Sequence, residues 1–349
     1  MHSLTADPVV EQGSLAAAFD QIAPLLPPLL MSPTSFDHSR RVGALFPLHA
    51  VQFFGFECRL GEGAAQSTDC ALNLSPKGAR LLAADAIGSG TGTWQRIGRF
   101  YRHWQQTHAD PFADAASTWL EFDAGEADPA PNLLFGYWPD EPQTARPWEW
   151  MQHTLFPELF DGAYSAALHD SLDRAFRACP AGTGDFQIGV MLSRPIQAVR
   201  LCIFDLPLAA VPAYLDAIGW AGDRAALDHW LAALAPHCDF IGLHFDIAAQ
   251  VFPHIGIEPN FRSGSWSRQP HREGRWAGIW QALSDGGVLT PAKHAALLDW
   301  TGHQHVVLDG VPRLLLRGLS HVKLVLAGDG RAQAKGYFGI ALRDVEQGG

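Results

Sequence analysis

The feature of the sequence that most restricts its fold is an alternation of paired strand-like and paired helix-like segments. Five pairs of short segments alternate apolar and polar residues around Gly, Asp, Pro or Ser, which is the pattern of a β-hairpin. The pairs span residues 51–60 and 70–75, 117–125 and 132–138, 186–192 and 197–206, 240–247 and 251–259, and 321–327 and 334–342. Longer stretches with apolar residues at three- and four-residue steps lie between the pairs and predict two helices in each gap. The predicted order is therefore two helices and two strands, repeated five times.

Ten antiparallel strands joined as hairpins can close into a barrel, which removes the exposed edges of the sheet. The doubled strands count against a TIM barrel, which has one strand per helix. We therefore expect an α+β protein of five ααββ repeats, with a closed ten-stranded antiparallel β-barrel jacketed by helices. Residues 1–45, which contain a helical pattern broken by prolines, are expected to pack on this barrel, and residues 46–349 to form one barrel domain. An open sheet with helices on one face would show the same alternation and stays open as an alternative.

The alternation within each strand also predicts what lies inside the barrel. Amphipathic helices need an apolar partner, and the apolar strand face is the only one large enough, so the polar strand face must line the lumen. A ten-stranded barrel is too wide for side chains to fill, which predicts a solvent-accessible chamber. The residues expected to line it include Glu57, Arg59, Trp119, Glu121, Asp123, Arg200, His244, Asp246, His254, Glu258, His321, Lys323, Lys335 and Tyr337.

Composition and charge narrow the class of function. The chain has 25 Lys and Arg residues against 36 Asp and Glu residues, a net charge of −11, which argues against nucleic acid or an anionic membrane surface as a partner. It has no apolar run of about 18 residues and no basic start followed by an apolar core, so we expect neither a membrane helix nor a signal peptide. The 5 cysteines show no paired spacing, which favours reduced thiols. We expect a cytoplasmic protein that is a monomer or a homodimer.

The five-fold ααββ repeat resembles the ABBA (PT-barrel) prenyltransferases. The resemblance covers nearly the whole chain in architecture but few motifs in sequence: FFGFECRL places Glu57 and Arg59 on one face of the first strand, and AKGYF places Lys335 and Tyr337 on the last. In that family a central barrel binds a prenyl diphosphate and an aromatic or other nucleophilic acceptor, so the resemblance implies that Glu57 orients the acceptor. It also implies that the diphosphate is held by Arg59, Arg200, Lys323, Lys335 and Tyr337.

On this basis we expect a transferase of natural-product biosynthesis that moves a prenyl group to a peptide side chain or a small aromatic acceptor. Lys and Arg would neutralise the charge that develops on the leaving diphosphate, and Tyr would donate a hydrogen bond to it. Trp119, His254 and His321 are expected to contact the substrates, and the Trp ring to shield the allylic cation. Five predicted lumen acids face four strong bases, so either Mg²⁺ bridges acids and diphosphate or the barrel serves another reaction.

Two other functions stay open at the level of sequence. His244, Asp246, His254 and Glu258 lie on one face of facing strands and could bind a transition metal, act as acid and base, or form a hydrogen-bonded network in a wet lumen. Together with Glu121 and Asp123 they would suit a peptide- or metabolite-modifying lyase, isomerase or hydrolase. The third possibility is a non-catalytic carrier of an amphipathic ligand or a precursor peptide.

Overall fold

The computed structural model of the protein describes residues 13–61, 67–88, 92–107, 118–125, 129–137, 145–184, 186–194, 196–264 and 266–345. In these ranges eleven strands form one antiparallel sheet. They are β1 (Val51–Arg59), β2 (Asp69–Leu74), β3 (Trp119–Phe122), β4 (Asn132–Tyr137), β5 (Phe186–Val190), β6 (Val199–Phe204), β7 (Phe240–Ile247), β8 (Ile255–Asn260), β9 (Gly302–Leu308), β10 (Val311–Leu326) and β11 (Ala332–Asp344). The ends 117 and 138 of two predicted strands lie outside the described residues.

The sheet closes on itself. Strands β1 to β8 pair in chain order, β8 pairs with β10, β10 pairs with β11, and β11 returns to β1. Ten strands therefore form a barrel without an open edge, as the doubled-strand pattern predicts. The alternative of an open sheet is wrong, because the last strand pairs with the first from Phe54↔Ile340 to Arg59↔Lys335.

Helices fill the connections between the hairpins. They are α1 (Ala16–Ile22), α2 (Pro33–Ala44), α3 (Pro76–Ala83), α4 (Gly92–Thr107), α5 (Ala145–Trp150), α6 (Phe156–Leu159), α7 (Ala166–Arg177), α8 (Val211–Ile218), α9 (Arg224–Leu234), α10 (Trp276–Asp285) and α11 (Pro291–Trp300). A π-helical turn at Met151–Leu155 joins α5 to α6. Several helices begin at a side-chain cap, as at Ser75 and Thr290, whose hydroxyls accept the backbone N–H three residues later.

The apolar core lies between the barrel wall and the helices. Phe54 and Phe56 of β1 are 1% exposed, and the ring of Phe19 in α1 meets Phe54 edge-on with ring centroids 4.5 Å apart. Leu120 and Leu243, on the apolar faces of other strands, are also buried. This arrangement leaves the opposite face of each strand for the lumen, which confirms the assignment of faces made from alternation.

The last repeat differs from the prediction. The sequence pattern places its first strand at 321–327, whereas β10 begins at Val311 and pairs with an additional strand, β9. The turn between them is Asp309-Gly310, with φ of 54° and 74°, which is a hairpin signal of the Asp-Gly type. The sequence pattern does not predict β9, because this strand carries no apolar face along most of its length. Only its residues Val306 and Leu308 are buried. The three-stranded extension of β9, β10 and β11 continues past the end of the barrel.

The eighth strand is also shorter than predicted. β8 begins at Ile255, and Val251 forms only an isolated bridge with Ile247. Pro253, which has no N–H to donate to a ladder, lies between Val251 and Ile255 and interrupts the predicted strand.

Candidate active site

The barrel encloses a cavity of about 400 Å³. Of the fourteen residues predicted from strand alternation to face the lumen, eleven line this cavity. They are Glu57, Trp119, Glu121, Asp123, Arg200, His244, Glu258, His321, Lys323, Lys335 and Tyr337. The other three, Arg59, Asp246 and His254, do not line the cavity. Asp246 contacts both Arg200 and His254, while Arg59 is half-buried at the end of β1.

A second compartment of about 560 Å³ adjoins the first. The two share Phe53, Trp119, Arg268 and Ser320. The rest of its wall comes from the start of β1, Asn73 near the end of β2, the strands β10 and β11, and the loop before α10, including Trp266 and Gln269. We call the first cavity the inner chamber and the second the outer chamber.

The lumen is apolar at one end and ionic at the other. The end where β1 begins carries the aromatic rings of Phe53, Trp119, Phe204 and Phe240, all of which line the inner chamber. At the opposite end Arg194 and Asp123 form an ion pair. A charged layer lies between these ends, so a ligand with an apolar tail and an anionic head would meet complementary surfaces.

Glu57 occupies the centre of the charged layer and is tied to the last strand. Tyr337 lies opposite it in the β1–β11 ladder and Lys335 lies two residues away, so both face the lumen beside the Glu57 carboxylate. The Lys335 ammonium donates to Oε1 and the Tyr337 hydroxyl to Oε2. Burial alone would raise the pKa of Glu57, but Lys335 and Lys323 hold it well below its usual value. Glu57 is therefore ionised at neutral pH.

Lys323 lies on β10 directly across from Lys335 and is 8% exposed. Its ammonium lies 4.8 Å from the ring centroid of Tyr337, and within the described residues it makes no hydrogen bond or ion pair. Burial lowers the pKa of Lys323, while the neighbouring Glu57 carboxylate opposes that shift. A buried ammonium without an ionic partner is a binding point for an anion.

A histidine–glutamate cluster continues the layer across β7, β8 and β10. Glu258 Oε2 lies 2.9 Å from His244 Nε2 and 3.7 Å from His321 Nε2. Burial lowers the pKa of His244 and lowers that of His321 to about 4. The ring of His321 stacks on Tyr337 with centroids 4.1 Å apart. At neutral pH the cluster thus presents one carboxylate and two neutral imidazoles, one of them stacked beside the Lys323 site.

Two ion-pair networks occupy the ionic end of the lumen. Arg200 donates two hydrogen bonds to Asp246, at 2.8 and 3.1 Å, and His254 Nε2 lies 3.0 Å from the same carboxylate. Arg194 holds Asp123 in the same way, at 3.0 and 2.7 Å. The four-residue constellation considered above as a metal site therefore divides between two networks, His244 with Glu258 and Asp246 with His254. Within the described residues no three His, Cys, Asp or Glu side chains converge as metal ligands.

Glu121 differs from the other carboxylates of the inner chamber. It forms no hydrogen bond or ion pair with any residue in the described part of the chain. Burial raises its pKa, and Arg200 and Lys323 only partly oppose this effect. The arrangement leaves one carboxylate of the chamber available to an incoming group.

Three charged residues of the chamber were missed by sequence reasoning. Arg268 comes from the loop between β8 and α10, where no alternation fixes direction, and its buried Nε has no partner among the described residues. Arg194 lies in the turn between β5 and β6. Asp69, the first residue of β2, accepts the Ala124 N–H at 2.8 Å, and extending the β2 alternation from Ala71 would have found it.

No protein-family model matches the chain, and no curated protein matches it in sequence. Among solved structures, the chain is similar to 5-dimethylallyltryptophan synthase from Streptomyces coelicolor. The two are 13% identical, with a TM-score of 0.50 over 94% of this chain and 97% of the other. The chain has the PT-barrel fold. A second similar structure is AnaPT from Neosartorya fischeri, at 10% identity and a TM-score of 0.47 over 93% of this chain and 92% of the other.

The fold implied by the five-fold repeat is thus confirmed over nearly the whole chain. In this PT-barrel the lumen wall brings together the residues expected on the first and last strands, Glu57, Lys335 and Tyr337. No helix in the described ranges is long and apolar enough to span a membrane.

Proposed function

We propose that this protein transfers a prenyl group from a prenyl diphosphate to an aromatic acceptor, which is a small molecule or a peptide side chain. The observation that carries the proposal is the inner chamber itself. It joins an aromatic end to a layer of buried cations inside a closed barrel, as a ligand with an apolar tail and a diphosphate head requires. The fold shared with 5-dimethylallyltryptophan synthase supports the same reaction class.

Lys323 and Arg268 are the proposed primary ligands of the diphosphate. Both line the inner chamber, and neither has an ionic partner among the described residues. Lys335 and Tyr337, held by Glu57, stand next to Lys323. Cations and hydroxyl donors fixed in a chamber of low polarity stabilise the charge that forms as the allylic C–O bond breaks.

The aromatic end of the chamber would hold the prenyl chain and the acceptor. Phe204 and Phe240 offer apolar surface on one side, and Phe53 and Trp119 offer it at the passage to the outer chamber. Ring faces stabilise an allylic cation through their negative electrostatic potential and keep water from it. The outer chamber gives an acceptor larger than one ring room to extend, which supports a peptide as one acceptor class.

The described residues do not provide a protein-held Mg²⁺ site, since the lumen carboxylates do not converge and three of them, Glu57, Asp123 and Asp246, are paired with cations. Five strong bases line the inner chamber, Arg194, Arg200, Arg268, Lys323 and Lys335, against five acids, Glu57, Asp69, Glu121, Asp123 and Glu258. The roles proposed for these residues therefore do not depend on a metal ion. That donor binding requires Mg²⁺ stays a prediction.

Calorimetric titration with dimethylallyl, geranyl and farnesyl thiolodiphosphates, with and without Mg²⁺, tests donor binding. We expect micromolar affinity that falls about 10- to 100-fold in Lys323→Met, because a charge-assisted contact to the diphosphate is lost. Lys77→Met is the matched control, since Lys77 is exposed on α3, outside the barrel. Turnover is then measured as gain of one isoprenyl unit by tryptophan, phenols and Trp- or Tyr-containing peptides.

Absence of thiolodiphosphate binding under both conditions would contradict the proposal. Binding without turnover on any acceptor would instead favour a carrier. If the protein shows neither thiolodiphosphate binding nor prenyl transfer, the favoured alternative is acid–base chemistry by Glu121, His244 and Glu258 on peptide or metabolite substrates.

A further inference from the structure

The carboxylates that line the inner chamber are unequal in what they already bind. Four of the five are engaged: Glu57 by Lys335 and Tyr337, Asp69 by the Ala124 N–H, Asp123 by Arg194, and Glu258 by His244. Glu121 alone has no close polar contact with the described residues, whereas Glu258 Oε2 lies 2.9 Å from the neutral His244 ring. Both oxygens of Glu57 and of Asp123 already accept from fixed donors, which makes these two carboxylates poor proton acceptors, because protonation would break those contacts.

Glu121 also lies close to the passage between the chambers. It is on the same strand face as Trp119, which borders that passage. It follows Trp119 by two residues on β3, so the two side chains project from the same face about 7 Å apart. Trp119 contacts Phe53 edge-on, with ring centroids 6.0 Å apart and planes at 69°. A planar acceptor lying against these two rings would direct its edge toward Glu121.

Two glycines keep the Phe53 ring against the wall. A Cβ on Gly55 would lie 3.0 Å from Cε1 of Phe53, and one on Gly339 would lie 2.7 Å from its Cζ. In the strand register Gly339 faces Gly55, Gly55 faces Ala71, and Ala71 faces Glu121. The Phe53 ring therefore covers Gly55 and Gly339, and the small side chain of Ala71 is all that the register places between these glycines and Glu121.

We propose that Glu121 is the catalytic residue that accepts the proton of the acceptor, and that Glu57 instead positions Lys335 and Tyr337. This inference rests on the proposed prenyl transfer. The C1–O bond of the donor breaks and its electron pair leaves with the diphosphate. An acceptor carbon or nitrogen forms the bond to C1, and the proton that this atom loses passes to the Glu121 carboxylate and then to water.

The charges that act on Glu121 suit this role. Burial raises its pKa, Arg200, Lys323 and Arg194 lower it, and the Glu57 carboxylate raises it, with a net rise from the usual value of 4.5. A base whose pKa moves toward the working pH is a better proton acceptor while still ionised. The rate of transfer is therefore expected to fall as pH falls through the raised pKa of Glu121.

The test compares Glu121→Gln, Glu121→Asp and Glu57→Gln with wild type. The matched control is Glu149→Gln, which changes an exposed glutamate on α5. Each variant is assayed for acceptor prenylation, for release of free prenyl alcohol, for thiolodiphosphate affinity and for the pH dependence of kcat/KM. In Glu121→Gln we expect prenylation to fall at least about 100-fold, because a positioned base contributes 10²- to 10⁴-fold. Donor affinity should change less than about threefold, and the prenyl group should be captured by water instead.

The pH profile separates this role from a structural one. Glu121→Gln should lose the acidic limb of kcat/KM, and Glu121→Asp should keep that limb and restore part of the rate. In Glu57→Gln we expect weaker donor affinity as the leading effect, since Lys335 and Tyr337 lose their anchor. Wild-type prenylation with undiminished turnover in Glu121→Gln would overturn the inference, as would loss of the acidic limb in Glu57→Gln alone. Failure of the proposed function itself would be visible in the wild type as absence of prenylation.

Discussion

Glu57 shows how one residue can fix the direction of its neighbours in the chamber. Its carboxylate is 18% exposed and the Lys335 side chain 21%, so both charges have lost most of their water. A pair of this kind gains little over an apolar pair, but removal of one partner leaves the other charge desolvated and unpaired. The pair is better understood as fixing the direction of Lys335 and Tyr337 than as a source of stability.

The first prediction follows from this pair. Lys335→Met should lower the free energy of unfolding by about 3 kcal/mol at neutral pH, because Glu57 keeps its charge without its main partner. The pKa of Glu57 in the folded wild type lies below its usual value of 4.5. Its ionisation therefore stabilises the folded state above pH 4.5, and this contribution is lost as pH falls below 4.5 toward the folded pKa.

Urea denaturation of wild type and Lys335→Met at neutral pH and near pH 3 measures the effect. The difference between the two proteins should narrow in acid, and in a double-mutant cycle with Glu57→Gln most of the cost should disappear. A difference that stays constant across this pH range would show that lost packing of the lysine stem, rather than its charge, is responsible.

At the scale of strands, alternation predicts direction well wherever both faces of a strand have a clear character. In β1 the polar face holds Glu57 and the apolar face holds Phe54 and Phe56, so the lumen side follows from the sequence alone. The method fails where a segment lacks two distinct faces, as in β9, and where a side chain reaches the lumen from a loop, as Arg268 does.

A second property that the sequence does not predict is which side chains pair with each other inside the lumen. Alternation places Arg59 on the lumen side of β1, but it does not tell how far along the barrel the cavity extends. It also cannot show that Asp246 pairs with Arg200 whereas Glu121 has no partner in the described part of the chain, because pairing depends on register across strands distant in sequence. The acceptor role assigned to Glu57 by resemblance stays a prediction and competes with the role proposed for Glu121.

The second prediction concerns a glycine that shapes a strand pair. Gly242 on β7 faces Phe204 on β6, and a Cβ at Gly242 would lie 2.8 and 2.9 Å from Cδ1 and Cε1 of the Phe204 ring. Gly242→Ala should therefore push this ring into the inner chamber, at a cost of about 1 to 3 kcal/mol in stability. The affinity for farnesyl thiolodiphosphate should fall more than that for the dimethylallyl compound.

The control for Gly242→Ala is Gly274→Ala, at an exposed position where an added Cβ would meet nothing within 4 Å. The measurement is the ratio of the two thiolodiphosphate affinities by calorimetry. Equal losses for the short and the long donor would mean that Phe204 does not border the prenyl chain.

At the scale of the whole molecule, the arrangement of charges in the chamber depends on the pairing of the last strands of the barrel with the first. β10 and β11 carry Lys323, Lys335 and Tyr337, and the same two strands close the barrel against β8 and β1. The Glu57–Lys335 contact joins residues separated by 278 positions. Contacts of such sequence separation form late and slowly, so the proposed anion site exists only once the barrel is complete.

The N-terminal helices lie over the place where the barrel closes. Phe19 of α1 is fully buried and its ring contacts Phe54 and Phe56 of β1, and Phe56 in turn contacts Phe338 of β11. The Gly13 N–H donates to Asp309 in the β9–β10 turn at 2.8 Å. Of the N-terminal segment 1–45, residues 1–12 lie outside the described residues, and these contacts support the proposal that residues 13–45 belong to the folding unit of the barrel rather than to a separate domain.

The third prediction tests that proposal. Phe19→Ala removes a ring from the interface between α1 and the β1 wall and should cost about 3 to 5 kcal/mol, whereas Leu29→Ala, at a position 45% exposed, should cost little. Thermal unfolding is followed by far-ultraviolet circular dichroism and by tryptophan fluorescence, with and without a prenyl thiolodiphosphate. If the helices and the barrel fold together, both probes should show one coincident transition that moves to lower temperature in Phe19→Ala, and the ligand should raise it in both proteins. Two separated transitions, with the ligand acting only on the upper one, would mean that the N-terminal helices fold independently of the barrel.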